Sequence, residues 1–373
     1  MSVIGGVLFL DLFEMPEAPK TMGHMMIRQI LSPNRRLKLI PYPFKKAETE
    51  AAEDHEAEEE PSTDTSNIWP AQICYDISPD CFIHRESAKM MSWDEIYMCW
   101  SDENIGDVEI NTESGQIKFR TTQFRPTAFV QKTFAEFPLL DWAIEPCGKD
   151  RVRFRIQGSS NEICFEVFDG KCRLISPMNS FLETHVAGQW FTPTLFLMKL
   201  SQVGLNFQGP QSLKGVDFDP SILKSPAAEE SALKGIGFCA QYFAIRRSPS
   251  NRHISNSKIA LQVQRVVEGT ALSEDPLLWT TIFFDSACRI GENDVKIGYC
   301  VQEGFVTDET NFFMAHDDIP PENPIPLHSS FYSAMKSLVP EPEAVSNLEQ
   351  TDAMFSKSIF EVLQATRLLS FSA

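Results

Sequence analysis

The sequence predicts an α+β, β-dominated fold: antiparallel, sandwich-like sheets with a few packing helices and a long C-terminal helix. Short apolar-rich runs follow one another between residues 68 and 176, separated by turn residues such as Ser114-Gly115 and Asp169-Gly170. Asp-Gly between two apolar runs is a strong signal for a tight hairpin, and regularly spaced short strands indicate a sandwich or barrel-like sheet. Helical patterns are concentrated after Trp190, which places the packing helices in the second half of the chain.

The chain of 373 residues is predicted to divide into four segments. Residues 1–45 form an N-terminal β-rich segment, in which we expect Val3 to Phe13 to be a buried strand. Residues 46–67 are acidic and carry no Phe, Trp or Tyr, so they cannot bury enough apolar surface to offset chain entropy and are predicted to form a disordered linker. Residues 68–210 are predicted to be an antiparallel β domain ending in a helix, and residues 211–373 a second β/α domain with C-terminal helices.

The predicted helices have recognisable ends. Thr192 can cap a helix whose first position suits Pro193 and whose end suits Gly204. Apolar residues recur at helical intervals over residues 343–369, which predicts a long amphipathic helix.

Charge and cysteine content limit the kinds of partner and the cellular compartment that we expect. The chain has 33 Lys and Arg against 51 Asp and Glu, a formal charge of −18, so we expect neither nucleic acid nor an anionic membrane as partner. The 9 cysteines form no C-x-x-C pair, which favours reduced, buried thiols in a cytoplasmic or ciliary compartment over a disulfide framework.

No catalytic, cofactor-binding or metal constellation is predicted. Residues 235–240 contain a G-x-G-x-x-A string, but the segment before it favours a helix, whereas a dinucleotide site needs a strand there. We interpret the string as a glycine-permitted turn into a strand. His316-Asp317-Asp318 lacks a further ligand at suitable spacing and is interpreted as a solvated loop.

Basic residues alternate along two predicted strands. Period-two alternation places such residues on one face of a sheet, with Val152, Phe154 and Ile156 pointing inward. Two interpretations stay open: docking of an acidic protein surface, or an ordinary solvated strand face. The candidate protein-binding stripe comprises Lys118, Arg120, Arg151, Arg153 and Arg155.

Several short motifs together resemble the C-terminal part of the axonemal dynein intermediate chain seven family, also called cancer susceptibility candidate one. The most specific is Thr366-Arg367-Leu368-Leu369-Ser370 at the end of the last helix. The others are Gly5-Gly6-Val7 with Asp11-Leu12, Ile68-Trp69-Pro70, Trp100 with Ile105-Gly106-Asp107-Val108, Gln116-Ile117-Lys118-Phe119, Trp142-Ala143-Ile144-Glu145-Pro146, Gly188-Gln189-Trp190-Phe191-Thr192-Pro193 and His328-Ser329-Ser330-Phe331-Tyr332.

The resemblance implies a non-enzymatic accessory protein of the ciliary axoneme whose partners are axonemal dynein subunits of an inner arm, tubulin, or both. It supplies no catalytic residues and no cofactor. The family usually begins with a charged, helix-forming region, and we expect this sequence to lack it.

A second hypothesis is a small-ligand-binding or enzymatic β-domain whose site is assembled from residues distant in sequence. His84, His185 and Cys239 are the first candidates for such a site. A deep polar pocket with a shifted His or carboxylate would support this hypothesis.

Overall fold

The computed structural model describes residues 1–15, 18–27, 37–42, 70–78, 80–111, 114–210, 223–266, 279–285, 298–301, 311–314, 325–328 and 350–372. The chain splits into two compact units, Met1–Lys132 (unit one) and Thr133–Ala373 (unit two). The predicted boundary at 210/211 falls inside unit two, because one sheet there is built from strands on both sides of it. The predicted linker at 46–67 lies outside the described residues.

Unit one consists of short strands arranged in small sheets. Its strands are β1 (Ser2–Leu8), β2 (Leu12–Glu14), β3 (Lys20–Met22), β4 (Met25–Ile27), β5 (Lys38–Ile40), β6 (Ala71–Asp76), β7 (Lys89–Asp94), β8 (Cys99–Ser101), β9 (Ile105–Asn111), β10 (Gln116–Thr121) and β11 (Thr127–Gln131). They form a four-stranded sheet in the order β1-β11-β7-β8, a three-stranded sheet in the order β6-β10-β9, and the pairs β2-β5 and β3-β4. The described pairings in this unit are antiparallel, as the sequence predicts.

The core of unit one lies between its two larger sheets. Ile4, Met90 and Phe129 from the four-stranded sheet meet Ile117 and Phe119 from β10 in one buried cluster. Two antiparallel sheets that enclose a shared apolar layer are the sandwich-like arrangement that the alternating strands predict.

The N-terminal strand differs from its prediction. We expected a buried strand from Val3 to Phe13, but β1 ends at Leu8 and only Ile4 within it is buried. Gly5 and Gly6 both have positive φ, and the register with β11 shifts between Ile4 and Val7. A bulge of this kind turns the following side chains away from the core, which is why the apolar run is not buried along its length.

Unit two is organised around a ten-stranded sheet. Its order is β15-β14-β13-β12-β16-β17-β18-β21-β19-β20, and β18 and β21 pair in parallel whereas the other described pairs are antiparallel. The strands are β12 (Asp141–Gly148), β13 (Arg151–Gln157), β14 (Glu162–Phe168), β15 (Lys171–Ser176), β16 (Phe243–Arg247), β17 (Lys258–Arg265), β18 (Thr280–Asp285), β19 (Gly298–Val301), β20 (Asn311–Met314) and β21 (Ile325–His328).

The helices of unit two pack on the apolar face of this sheet. They are α1 (Ser180–His185), α2 (Pro193–Gln202), α3 (Pro226–Cys239), α4 (Ala353–Thr366) and the short α5 (Leu368–Phe371). Phe165 of β14 stacks on Phe154 of β13 and also contacts Phe196 of α2, with ring centroids 5.0 Å apart in both pairs. Because the helices cover this face, the opposite face of β12 to β15 carries the polar side chains.

The G-x-G-x-x-A string lies in a helix, so its interpretation as a turn into a strand is wrong. Residues Gly235 and Gly237 are within α3, and β16 begins only at Phe243. A Cβ atom on Gly237 would lie 2.8 Å from the Ser356 carbonyl oxygen of α4. The glycine therefore permits a close approach of two helices, which overrides its low helix propensity.

The C-terminal helix is interrupted. Residues 341–349 lie outside the described residues, and the described part breaks at Arg367, whose φ of 52° is left-handed. Asp352 caps α4 at its start, and the Arg367 N–H bonds to the Leu363 carbonyl oxygen at 2.8 Å. The chain then forms α5, and Ser372 forms a parallel bridge with Leu139, which precedes β12.

Within the described ranges, no helix combines the length and apolar character needed to cross a bilayer. The described cysteines are free thiols; Cys172 and Cys239 are buried as expected, whereas Cys74, Cys99 and Cys147 are exposed.

Candidate functional site: an arginine-rich sheet face

The outward face of β13 carries Arg151, Arg153 and Arg155, as the alternation predicts. The intervening Val152, Phe154 and Ile156 are fully buried against the helix side of the sheet. Register sets the neighbours: Glu145 of β12 and Glu166 of β14 flank Arg153, and Arg173 of β15 lies opposite Glu166. Acidic residues therefore interrupt the basic stripe across the strands.

Glu166 is the acidic centre of this face, and three guanidinium groups share it. Its carboxylate accepts a hydrogen bond from Arg173 at 2.6 Å, whereas the nearest nitrogens of Arg153 and Arg151 lie at 3.8 and 4.0 Å. The longer distances exceed those of a hydrogen bond. Because one carboxylate cannot satisfy all these donors, Arg151 and Arg153 keep N–H groups that can bind another acceptor.

Aromatic rings hold two of these guanidinium groups in place. The guanidinium carbon of Arg151 lies 4.7 Å from the centre of the Phe168 ring, and that of Arg173 lies 4.7 Å from the Trp190 ring. The two rings are 5.9 Å apart. Cation–π contacts of this kind are worth about 0.5–1 kcal/mol at exposed sites and limit the freedom of the arginines. We call Arg151, Arg153, Glu166, Phe168, Arg173 and Trp190 the arginine–aromatic face.

Arg155 lies on the same strand face but has its own acidic neighbours. Its guanidinium nitrogens lie 3.4 Å from Asp141 and 4.0 Å from Glu162. These side chains are all more than 40% exposed, so the pairs contribute little, about 0–1 kcal/mol, to folding stability.

The remaining predicted stripe residues, Lys118 and Arg120, lie in unit one. Arg120 pairs with Asp107 at 2.8 Å, and Lys118 stands opposite Glu109 in the β9–β10 register. They line an open, polar groove of about 300 Å³ together with Gln72, Val108 and Phe119. The five predicted residues are thus distributed over two compact units, with acidic neighbours in both.

The arginine–aromatic face contains residues that sequence reasoning missed. Arg173 and Glu166 were not predicted, although the predicted Asp169-Gly170 hairpin already fixes Glu166 opposite Arg173. Trp190 was noted only as part of a motif and was not placed beside the basic stripe. Trp190 reaches the face because the neighbouring Phe191 forms an isolated bridge with Cys172 of β15. The sequence did not predict that Phe191 pairs with β15, so the position of Trp190 on this face could not be predicted either.

Each position proposed for an enzymatic site has its own local surroundings. His84 Nδ1 lies 3.1 Å from Ser87 Oγ in unit one, while His185 Nδ1 lies 3.1 Å from the Phe181 carbonyl oxygen in unit two. Cys239 is buried on α3, and burial raises the pKa of its thiol, which keeps it protonated. Among the described side chains, no cluster of His, Cys, Asp and Glu has the geometry to hold a metal ion; His316-Asp317-Asp318 lies outside the described residues.

Three curated proteins that are similar to this chain share one name. It is 25% identical over 382 residues to dynein axonemal intermediate chain 7 of Bos taurus, 22% identical over 374 residues to that of Danio rerio, and 23% identical over 377 residues to that of Homo sapiens. These matches cover 99–100% of this chain and 47% of each relative, so the chain spans about half the length of the curated relatives it matches.

No protein-family model matches the chain. The matches to curated proteins nevertheless extend over 99–100% of the chain. The predicted resemblance is therefore confirmed: this chain is a relative of the dynein axonemal intermediate chain 7 proteins.

Proposed function

We propose that this chain is a non-enzymatic, structural accessory subunit of the ciliary axoneme that associates with an inner-arm dynein complex and supports ciliary motility. The names of its relatives support an axonemal location and protein partners within a dynein assembly. Because the chain matches about half of each relative, the partners that it contacts directly belong to the proposal as well.

The arginine–aromatic face is the surface that we assign to this docking. The sharing of Glu166 by three guanidinium groups carries the assignment, since it leaves donors on Arg151 and Arg153 for a partner's carboxylates. Arginine and tryptophan are enriched among the residues that dominate binding energy at protein interfaces. The partner surface that fits this face is acidic.

Tubulin is a second candidate for the same face. Its surface is acidic, so the spare guanidinium donors of Arg151 and Arg153 would attract it even though this chain has a net charge of −18. An acidic segment of a dynein subunit offers the same chemistry, and a binding measurement with defined partners separates the two.

The test replaces Arg151 and Arg153 together by Gln, which removes charge without placing a new acid beside Glu166. We expect the amount of axonemal dynein that co-purifies with the full chain from ciliated cells to fall roughly tenfold, about 1.4 kcal/mol in binding. Co-sedimentation with purified microtubules, measured in parallel, reports on tubulin alone.

The matched control replaces Lys118 and Arg120 by Gln in unit one. It removes the same charge, so loss of non-specific attraction would weaken binding equally in both proteins. Unchanged dynein and microtubule association in the Arg151/Arg153 variant would rule out this face. Absence of dynein from the unmodified chain's complexes would contradict the proposed function itself.

A further inference from the structure

A second, chemically different surface lies at the tip of the β7–β8 hairpin. The loop between Asp94 and Cys99 presents three consecutive large apolar residues to solvent: Ile96 is 80%, Tyr97 78% and Met98 69% exposed. Isolated apolar residues are normal on a surface, but a contiguous group at a projecting turn marks an interaction site.

The loop is held in one shape by its own side chains. Asp94 Oδ1 accepts hydrogen bonds from the N–H groups of Ile96 at 2.8 Å and Tyr97 at 3.0 Å, and Asp94 Oδ2 pairs with Arg125 at 3.2 Å. Directly below the tip, Trp93 and Trp100 pack edge to face, with ring centroids 5.3 Å apart. A preorganised loop loses little conformational entropy when it binds.

Backbone conformation singles out Met98. Its φ of 51° is left-handed, a region in which hairpin loops normally use Gly or Asn. A long apolar side chain there gains nothing for folding, because it is exposed and its backbone is strained. Strain combined with exposure points to contact of Met98 with another molecule.

The charge around the tip defines the kind of partner. From Met90 to Asn111 the sequence contains no Lys or Arg, Glu95 lies in the loop itself, and Arg125 beside the loop is paired with Asp94. An anionic membrane would be repelled by such a segment, whereas a protein pocket bordered by basic residues would be attracted.

We propose, relying on the proposed function for the identity of the complex, that Ile96, Tyr97 and Met98 insert into an apolar pocket with a basic rim on a protein subunit of the dynein assembly. The Tyr97 ring and the Met98 thioether supply rigid and adaptable apolar contact, respectively. Glu95 faces the basic rim. This docking is separate from the arginine–aromatic face, which takes an acidic partner.

The first experiment compares full-length variants in ciliated cells and measures the axonemal dynein that co-purifies with each. Ile96→Ala with Tyr97→Ala, and separately Met98→Gly, are expected to lower recovery at least roughly tenfold. Phe9→Ala is the matched control, because Phe9 is equally exposed at 69% in the same unit, and its recovery should stay unchanged.

The same variants also show whether a loss of binding comes from a loss of folding. Glycine adopts the left-handed conformation without strain, so Met98→Gly should keep or raise the thermal midpoint while it reduces binding. Recovery of dynein at the wild-type level with both tip variants would overturn the proposal.

A second experiment does not depend on dynein co-purification. Benzoylphenylalanine at position 97, irradiated in cells, should crosslink to a partner peptide that maps to an apolar pocket flanked by Lys or Arg. Glu95→Lys should lower that yield several-fold. A yield no higher than with the same probe at position 9 would refute docking by the tip, even if the chain proves not to bind dynein.

Membrane insertion is the competing use of an apolar hairpin tip. Vesicles of phosphatidylcholine with phosphatidylserine are therefore tested with the purified chain. Tip-dependent binding to these vesicles, lost in the Ile96→Ala/Tyr97→Ala variant, would replace the protein pocket by a lipid surface and so contradict the proposal.

Discussion

Two arginine–glutamate clusters in unit two make opposite use of the same chemistry. On the arginine–aromatic face, Glu166 is buried but its arginines are open to solvent, with Arg153 47% exposed. Near the chain's last described residues, Arg367 pairs with Glu229 at 2.9 Å, and the two side chains are only 20% and 8% exposed. The first cluster has spare donors and suits binding, whereas the second is enclosed and suits stability.

The enclosed cluster contains the motif most specific to the family resemblance. Arg367 also donates to the Pro210 carbonyl oxygen at 3.1 Å and packs over the Phe371 ring. The Leu368 and Leu369 side chains that follow are buried in the core. The motif that best identifies the family is therefore a packing element, whereas the arginines of the surface that we propose for a partner lie outside the motifs.

The largest effect is expected from Arg367→Ala. It leaves the Glu229 carboxylate buried without its cation, and Glu229 Oε1 already has no hydrogen-bond partner among the described residues. We expect the free energy of unfolding to fall by about 4 kcal/mol, the range for removal of one partner of a buried ion pair. Urea denaturation measures it.

Glu229→Gln combined with Arg367→Ala provides the control for that variant, because it removes the orphaned charge and should restore part of the stability. A loss below about 1 kcal/mol in Arg367→Ala would mean that the two clusters do not differ in kind.

A smaller, pH-dependent effect on the free energy of unfolding is expected at Lys224. Like Arg367, Lys224 is an enclosed cation, and it therefore extends the comparison between enclosed and exposed charges. Its ammonium donates to the Asn251 carbonyl oxygen at 2.6 Å, and burial lowers its pKa to about 8. Between about pH 8 and 10.5 the unfolded chain binds more protons at this residue than the folded chain, so stability rises with pH.

The measurement compares unfolding free energies of the wild type and Lys224→Met across that range. Burial raises the thiol pKa of Cys172 and Cys239, which lowers stability at alkaline pH, but this contribution is common to both proteins. We expect the wild type to gain about 2 kcal/mol relative to the variant. If the difference in unfolding free energy between the two proteins does not change with pH, the Lys224 ammonium reaches solvent.

The smallest effect is expected from Arg153→Ala on the open cluster. Its nitrogen lies 3.8 Å from Glu166, beyond hydrogen-bond distance, and the side chain is largely solvated. The free energy of unfolding should change by no more than about 0.5 kcal/mol. A loss above about 2 kcal/mol in the same urea titration would assign the arginine–aromatic face to folding, and the contrast with Arg367 would disappear.

Local signals predicted most of the strands, but of the six residues of the arginine–aromatic face they predicted only Arg151 and Arg153 as binding residues. Alternation along Arg151 to Gln157 gave the correct inward and outward faces, and Asp169-Gly170 located the hairpin whose register sets Glu166 against Arg173. The β7–β8 hairpin was missed because its turn contains no Gly, Pro or Asn. In this turn the Asp94 carboxylate accepts hydrogen bonds from the loop N–H groups, and Met98 adopts the left-handed conformation that Gly or Asn usually supplies.

Contacts between distant segments were not predictable from a single sequence. The Glu229–Arg367 pair joins residues 138 positions apart, and nothing in either local pattern points to the other. Gly237 likewise lies in a helix and not in the expected turn, because α3 packs closely on α4, a segment distant in sequence. Local propensity yields where long-range packing stabilises another conformation.

The contact between Trp142 and Ser372 has a consequence for how the chain is made. The indole Nε1 donates to Ser372 Oγ at 2.9 Å across 230 positions of sequence. At a translation rate of about 5–20 residues per second, roughly 10–50 s separate the synthesis of these two residues. During that interval the apolar face of β12 and its neighbours has no C-terminal segment to cover it. We therefore expect the nascent chain to depend on chaperones until residues 353–372 have left the ribosome.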